Sequence, residues 1–467
     1  MGSAAEDRLD PTVFSRRVDS GAARLRQAGV SEGDLVAVWG PNALDWVVAA
    51  LAIWACGAAL LPLPPRWTDH EVASLVANLP LRAVLAPSAY RTRAQALGLN
   101  VLDWTLREEA PQSRPTNQVG ATARTWSPEL AALVATSGST GRPKLAMLSI
   151  TGLRATAIAT AAQLELAPGS VYGLPLPLHH VGGLGALCRV LVSGASLALG
   201  GVPPADVAGW HGQAVSHASL VPTQLGDCLA VWGEAGWPAS LRAVMVGGAA
   251  PPPDLAARCP QAFATYGLTE AGGTVTLSPA SAQPGSSGLP LPGVAIQVRR
   301  DDGGLVPPSE VGTLWVRGPG LMMGYWDDPA ATAQALQDGW LRTGDVGFLD
   351  AAGAVHVLAR RQDLIVSGGE NVYPAEVEAA LARLPEVAES LVLGLPDPRW
   401  GQCVVAVVVP RDHLPAPSLE SLRTGLEPYL ARFKHPRRLL TLPALPRLAN
   451  GKLDRVAVRA WAEEVRV

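Results

Sequence analysis

The sequence predicts an α/β protein in two parts. The first is a large N-terminal domain of mostly parallel sheets covered by helices, with a small β-rich subdomain; the second is a small α+β C-terminal domain. Three observations carry this prediction. Apolar, strand-like runs alternate with helix-length segments through the first part of the chain. Several of these runs end in Gly-rich loops, which is where parallel sheets place ligands. The pattern then changes twice, to short strands and turns near Pro284 and to a new α+β pattern after Arg360.

In chain order, Leu35–Trp39 reads as a strand and Ala43–Cys56 as a helix. Arg82–Ala86 and Leu130–Ala135 read as strands, and a helix is expected from about Ser149 to Gln163. Arg242–Val246 is an apolar strand ending in Gly247 and Gly248. The β-rich subdomain, about residues 284–361, holds strands Val294–Val298 and Gly312–Val316. The domain boundary is expected at Arg361-Gln362, giving domains 1–361 and 362–467. The second contains Asp363–Val366, a helix Pro374–Arg383, strands Ser390–Leu393 and Gln402–Val409, and a helix Leu419–Ala431.

A chain of 467 residues is too long for one core. With 48% hydrophobic and 16% charged residues it is globular, and a net charge of -3 offers no basic field for nucleic acid. The five cysteines form no CxxC pair, so neither zinc nor a disulfide framework is indicated. That usage, and a polar, acidic start without a signal-peptide pattern, give a cytoplasmic expectation. The apolar stretch Trp46–Pro65 is about long enough to span a bilayer, but glycine and prolines interrupt it. A buried helix running into a buried strand, Ala58–Leu63, is the expected reading, with no transmembrane segment.

Lysine is scarce: only Lys144, Lys434 and Lys452 occur, among 37 basic residues. Lys144 closes the string Thr136, Ser137, Gly138, Ser139, Thr140, Gly141, Arg142, Pro143, Lys144. Glycines let the backbone fold around an anion and the hydroxyls add donors, so a phosphate is one reading and a Gly-Ser turn the other. Its spacing is not that of a Walker A loop. Tyr266-Gly-Leu-Thr269-Glu270 offers an aromatic face for a base, a hydroxyl for a phosphate and a carboxylate for magnesium. A helix cap by Thr269 is the rival reading. Asp345 closes Trp340–Asp345 and suits ribose hydroxyls or a turn. Arg360 begins a run that ends in the flexible step Gly368-Gly369 and then Glu370-Asn371.

In this order the strings resemble the adenylate-forming superfamily of acyl- and aryl-CoA ligases, over about Asp34 to Arg455. The resemblance implies a phosphate loop at Thr136–Lys144, ribose contacts from Asp345 and Arg360, a hinge at Gln362 and a catalytic lysine at Lys452. It implies that Thr269 meets the α-phosphate, that Glu270 holds Mg2+, and that the small C-terminal domain is mobile. Turning about the hinge would replace Lys452 with the Gly368-Gly369 face for the coenzyme A step. His180 would lie near the acyl group and the incoming thiol, with a buried structural histidine as the alternative. The segments Leu176–Gly183, His217–Leu225 and Ser367–Glu376 are similar to the branch that makes the CoA thioester of o-succinylbenzoate for menaquinone biosynthesis. The ring would fit an apolar slot beside Gly247, Gly248, Gly272 and Gly273. A second substrate carboxylate needs a cation, and the candidates are His180, His217, Arg189 and Arg242. The implied partners are ATP, coenzyme A and a carboxylic acid, and a homo-oligomer stays open. The alternatives are a ligase for benzoate, coumarate or a fatty acid, or an adenylating enzyme that loads a carrier protein.

Overall fold

The computed structural model describes residues 11–105, 129–136, 143–200, 207–232, 237–248, 255–282, 285–300, 302–359, 365–372, 374–446 and 455–465. The chain divides into two compact units. The larger comprises residues 1–65, 76–135 and 145–358 as far as they are described. The second joins residues 66–75 to the C-terminal residues from 359 onward, with the described ends of 136–144. A short N-terminal segment thus belongs to the C-terminal unit, which a single cut at 361–362 does not anticipate.

Within the large unit a seven-stranded sheet runs Gly324–Tyr325, Lys144–Ser149, Leu130–Thr136, Ala59–Leu63, Leu35–Trp39, Leu81–Ala86 and Val101–Asp103. Leu35–Trp39 pairs in parallel with both its neighbours and is buried along its whole length. That matches its unbroken apolar run, since a parallel sheet covered on both faces leaves no side for polar residues. The helix Leu44–Ala55 is buried over most of its surface, and the Trp54 indole donates to the Ala131 carbonyl at 2.9 Å. The apolar stretch is therefore a core helix followed by the core strand Ala59–Leu63, and no described helix is long and apolar enough to cross a membrane.

A second sheet runs Gly273–Pro279, Ala262–Leu268, Ala243–Val246, His217–Leu220, Val171–Gly173 and Ser196–Ala198. All its pairs are parallel except the edge pair of Ala262–Leu268 with Gly273–Pro279. The β-rich subdomain is an antiparallel sheet of Ala295–Arg299, Gly312–Arg317, Trp340–Leu349 and Leu336–Gln337, with Val355–Ala359 added to Trp340–Leu349.

The second unit has a sheet of Glu370–Val372, Ile365–Ser367, Gly401–Pro410, Val387–Asp397 and Arg438–Thr441, with helices Pro374–Leu381, Leu419–Leu426 and Arg455–Glu464. The helix expected to reach Ala431 stops at Leu426, because Pro428 follows two residues later and has no N–H to continue the helical hydrogen bonds. The strand expected over Ser390–Leu393 is longer, pairing with Gly401–Pro410 along Val387–Asp397. At the centre of this unit Lys434, 2% exposed, places its ammonium 2.6 Å from Glu71 Oε1 and 2.7 Å from Glu376 Oε1. The ammonium also lies 4.8 Å from the Trp67 ring centroid.

Candidate active site

The strand Ala262–Leu268 delivers Tyr266 and runs straight into a single 3-10 turn, Thr269–Ala271. Two glycines make this junction possible. A Cβ on Gly267 would collide with the Gly273 carbonyl of the paired strand. Gly272 closes the turn at φ +70°, and a Cβ there would lie 2.6 Å from the Gly320 carbonyl oxygen. The result is that Glu270 points inward and is 2% exposed. The cap reading of Thr269 does not hold: Leu268 occupies the N-cap position, in extended backbone, and no side chain caps the turn.

Two phenol hydroxyls connect the strings. Tyr266 donates to Asp345 Oδ2 at 2.5 Å, and Tyr325 donates to Glu270 Oε1 at 2.9 Å. Asp345 is buried and sits inside the long strand Trp340–Leu349, so the turn reading of this residue is also set aside. Its backbone N–H donates to Thr343 Oγ1 at 3.0 Å, and that hydroxyl donates to the Leu314 carbonyl at 2.8 Å. The Tyr266 ring, expected to stack on a base, is itself buried, and its hydroxyl is directed at Asp345. Tyr325 was not among the expected site residues. Its only sequence signal is the dipeptide Gly324-Tyr325, too short to read as a strand.

His180 is the N-cap of the helix Val181–Ser193, with extended backbone and no side-chain cap bond. Its ring centroid is 4.2 Å from that of His179, and both residues are half-buried. The loop before it is pinned from the other sheet: Asn42 Nδ2 donates to the Leu176 carbonyl, and Leu178 N–H donates to Asn42 Oδ1, each at 2.8 Å. Sequence reasoning had no means to find Asn42, because the partners are more than a hundred residues apart.

The four candidate cations separate cleanly. His217 uses both ring nitrogens, Nε2 donating to the Leu164 carbonyl at 2.9 Å and Nδ1 meeting Ser216 Oγ at 2.8 Å. Burial lowers its pKa, so the neutral ring is favoured. Arg242 is exposed and precedes Ala243–Val246, at the end of the strand opposite to the one where ligands collect. Arg189 is 3% exposed. Its Nη2 donates to the Tyr172 hydroxyl at 3.0 Å and to Ser219 Oγ at 3.2 Å. Among the described residues its Nε has no hydrogen-bond partner. Ser219 is one residue short of the carboxyl end of His217–Leu220.

Thr136 ends its strand buried, and its hydroxyl has no partner among the described residues. Lys144 opens the next strand. Gly247 and Gly248 follow Ala243–Val246, and a Cβ on Gly247 would come within 2.6 Å of Thr265 Cγ2. Gly368 and Gly369 turn the chain between Ile365–Ser367 and Glu370–Val372, and Gly368 lies against Trp400. The Arg437 guanidinium stacks 3.8 Å from the Trp400 ring centroid. Ser137, Gly138, Ser139, Thr140, Gly141, Arg360, Gln362 and Lys452 lie outside the described residues.

No group of three or more His, Cys, Asp or Glu that could hold a metal ion occurs among the described residues. Magnesium with a nucleotide needs none, because it takes one or two carboxylates and fills its shell with phosphate and water. Glu270 is a buried carboxylate of that kind.

Comparison with known proteins gives the same picture. A 2-succinylbenzoate–CoA ligase from Bacillus cereus is 31% identical over 98% of this chain and 95% of its own length. A feruloyl-CoA synthase from Amycolatopsis is 36% identical over 96% of this chain and 92% of its own. A double mutant of the o-succinylbenzoate CoA synthetase of Bacillus subtilis, bound to a product analogue, superposes with a TM-score of 0.87 at 30% identity, covering 97% of this chain and 94% of that one. The same synthetase has been solved in complex with ATP and magnesium ion, with a TM-score of 0.68 to this chain at 30% identity, covering 96% and 94%. Residues 12–326 match the AMP-binding enzyme family and residues 376–452 match the AMP-binding enzyme C-terminal domain. With the Tyr266–Glu270 turn, Asp345 and the two-unit architecture in place over nearly the whole chain, the protein belongs to the AMP-binding enzyme family.

Proposed function

We propose that the chain is an AMP-forming ligase that activates o-succinylbenzoate and transfers it to coenzyme A, giving o-succinylbenzoyl-CoA, AMP and pyrophosphate for menaquinone biosynthesis. In the first half-reaction a carboxylate oxygen attacks the α-phosphorus of ATP, and the bond to pyrophosphate breaks. Charge builds on both reactants, so electrostatic stabilisation carries most of the rate. Lys452 bridges the attacking carboxylate and the α-phosphate, and Thr136–Lys144 hold the β- and γ-phosphates. Thr269 contacts the α-phosphate, Asp345 and Arg360 hold the ribose, and Glu270 holds magnesium. The metal, when bound, neutralises phosphate charge. In the second half-reaction the thiol of coenzyme A attacks the mixed anhydride and AMP leaves. His180 lies on the thiol's approach, and the C-terminal domain turns about Gln362 to bring in Gly368 and Gly369. These are cytoplasmic reactions of soluble substrates.

The observation that carries this choice of acid is Arg189. It is a buried guanidinium whose hydrogen-bond partners among the described residues are hydroxyls, with Nη2 on Ser219 near the carboxyl end of a sheet strand and an unbonded Nε. A buried cation with spare donors suits a substrate that brings a second carboxylate. The feruloyl-CoA synthase relative favours the other reading, an aryl acid with no second carboxylate. Steady-state kinetics separate the two. Wild type should show its highest kcat/KM with o-succinylbenzoate, against benzoate, 4-hydroxycinnamate and a medium-chain fatty acid. Arg189→Met should lower kcat/KM for o-succinylbenzoate by at least about tenfold, the scale of one charge-assisted hydrogen bond, and leave benzoate within about twofold. A higher kcat/KM for any rival acid, or a uniform loss across the panel, overturns the choice.

A further inference from the structure

One short strap joins Glu270 to the strand that leaves the phosphate string. Met322 N–H donates to the Glu270 carbonyl at 2.8 Å, and the Tyr325 hydroxyl donates to the Glu270 carboxylate at 2.9 Å. The same strap zips against Lys144–Ser149, the strand that follows Thr136–Lys144: Gly324 pairs with Met147 and Tyr325 with Ala146. Met323 N–H donates to the Met147 carbonyl and Trp326 N–H to the Leu145 carbonyl, each at 2.8 Å. Tyr325 is itself fixed, with its side chain 7% exposed and its N–H donating to Thr332 Oγ1 at 2.9 Å. Residues 322–326 therefore hold the backbone and the side chain of Glu270 in register with the strand that follows the phosphate string.

We infer that Tyr325 is a positioning residue that aims the Glu270 carboxylate at the magnesium of the nucleotide. This rests on the proposed role of Glu270. The chemistry favours a phenol for the task. A carboxylate that receives a hydrogen bond on one oxygen has one rotamer selected and its charge retained. An ammonium in the same place would compete with the metal for that charge.

The test compares Tyr325→Phe, Glu270→Gln and the double variant by calorimetric titration with MgATP and with AMP, which is supplied without metal. Thermal melting checks that Tyr325→Phe, which keeps the ring, is folded. Glu270→Gln should weaken MgATP and spare AMP; if it spares both, the metal role of Glu270 fails, and the inference with it. Tyr325→Phe should weaken MgATP by about tenfold, the scale of one hydrogen bond to a charged group, raise the magnesium concentration needed for half-saturation, and leave AMP within about twofold. In the Glu270→Gln background the same change should add nothing. If Glu270→Gln behaves as stated but Tyr325→Phe leaves MgATP unchanged, or weakens MgATP and AMP equally, Tyr325 only fills space and the positioning role is wrong. A full Tyr325→Phe effect that persists in the double variant also overturns it.

Discussion

Glu270 and Asp345, in the large unit, each receive a phenol hydroxyl, whereas Glu71 and Glu376, in the second unit, share the ammonium of Lys434. All four carboxylates are largely out of water, yet they are held by different chemistry. A phenol orients a carboxylate and leaves its charge in place. An ammonium cancels it, and the pair then behaves as a structural unit. On the roles proposed for Glu270 and Asp345, the difference separates carboxylates that would receive a ligand from carboxylates that hold chain segments together. Glu71 comes from residues 66–75, which join the C-terminal residues in one compact unit, and Lys434 is the group that ties Glu71 to Glu376.

The largest effect expected from this contrast is on stability. Lys434→Met should destabilise the protein by about 3–5 kcal/mol near neutral pH, the scale for breaking one side of a buried ionic cluster. The loss should shrink toward pH 4. Burial raises the Glu376 pKa, with Lys434 opposing it and the Glu71 charge adding to it. A carboxyl raised in the folded state contributes most below its unfolded value, and that contribution is lost as pH rises through the folded value. Removing the cation makes the ionised form worse still, so acid should rescue the variant. Urea unfolding at several pH values measures this. A loss that is flat with pH would mean that Lys434 acts by packing alone.

Tyr266→Phe should cost less stability and act on the ligand instead. Removing one hydrogen bond to a charged group is worth about 1.5–3 kcal/mol in total, and here part of it should appear as weaker AMP binding. The sharper readout is ribose recognition: wild type should prefer AMP to 2′-deoxy-AMP, and Tyr266→Phe should reduce that preference. A variant that melts like Lys434→Met and binds AMP normally would erase the distinction between the two carboxylate pairs.

Much of the fold was legible because its signals are local. Leu35–Trp39, the helix near Leu44–Ala55 and the helix Ile150–Gln163 follow from local apolar patterning. In the site, the Tyr266–Glu270 and Asp345 strings were readable as strings, but their connection was not. The Tyr266–Asp345 and Tyr325–Glu270 bonds span 79 and 55 residues, and a hydrogen bond at that separation leaves no mark on local composition. The same limit hid the partnership of Glu71 with Lys434, 363 residues apart. Lys434 is one of only three lysines, but scarcity says nothing of a residue's partner. Thr269 and Asp345 show a different limit: each residue type also suits a cap or a turn, but Thr269 lies inside a 3-10 turn that Leu268 precedes as N-cap, and Asp345 lies inside a long strand.

The smallest expected effect lies inside the lysine cluster, where the two carboxylates are not equivalent. Glu71 Oε2 accepts from Thr68 N–H at 2.8 Å, Thr68 Oγ1 at 3.0 Å and Ala431 N–H at 3.1 Å, and its Oε1 accepts from Lys434. A glutamine there must turn its amide nitrogen toward a donor, leaving buried N–H groups unsatisfied at about 1–3 kcal/mol. Glu376 accepts from Lys434 with Oε1, while its Oε2 has no partner among the described residues. Glutamine can keep the carbonyl on Lys434 and put its amide in the open position. Burial already favours the neutral form of this carboxyl. Glu376→Gln should therefore stay within about 1 kcal/mol of wild type, and its standing relative to wild type should improve as pH rises, because only wild type must then ionise a buried carboxyl. Glu71→Gln should cost more at every pH above the carboxylate range. Denaturant midpoints for the two variants, read side by side at pH 6 and pH 9, decide the matter: equal losses would mean that Lys434 treats its two carboxylates alike.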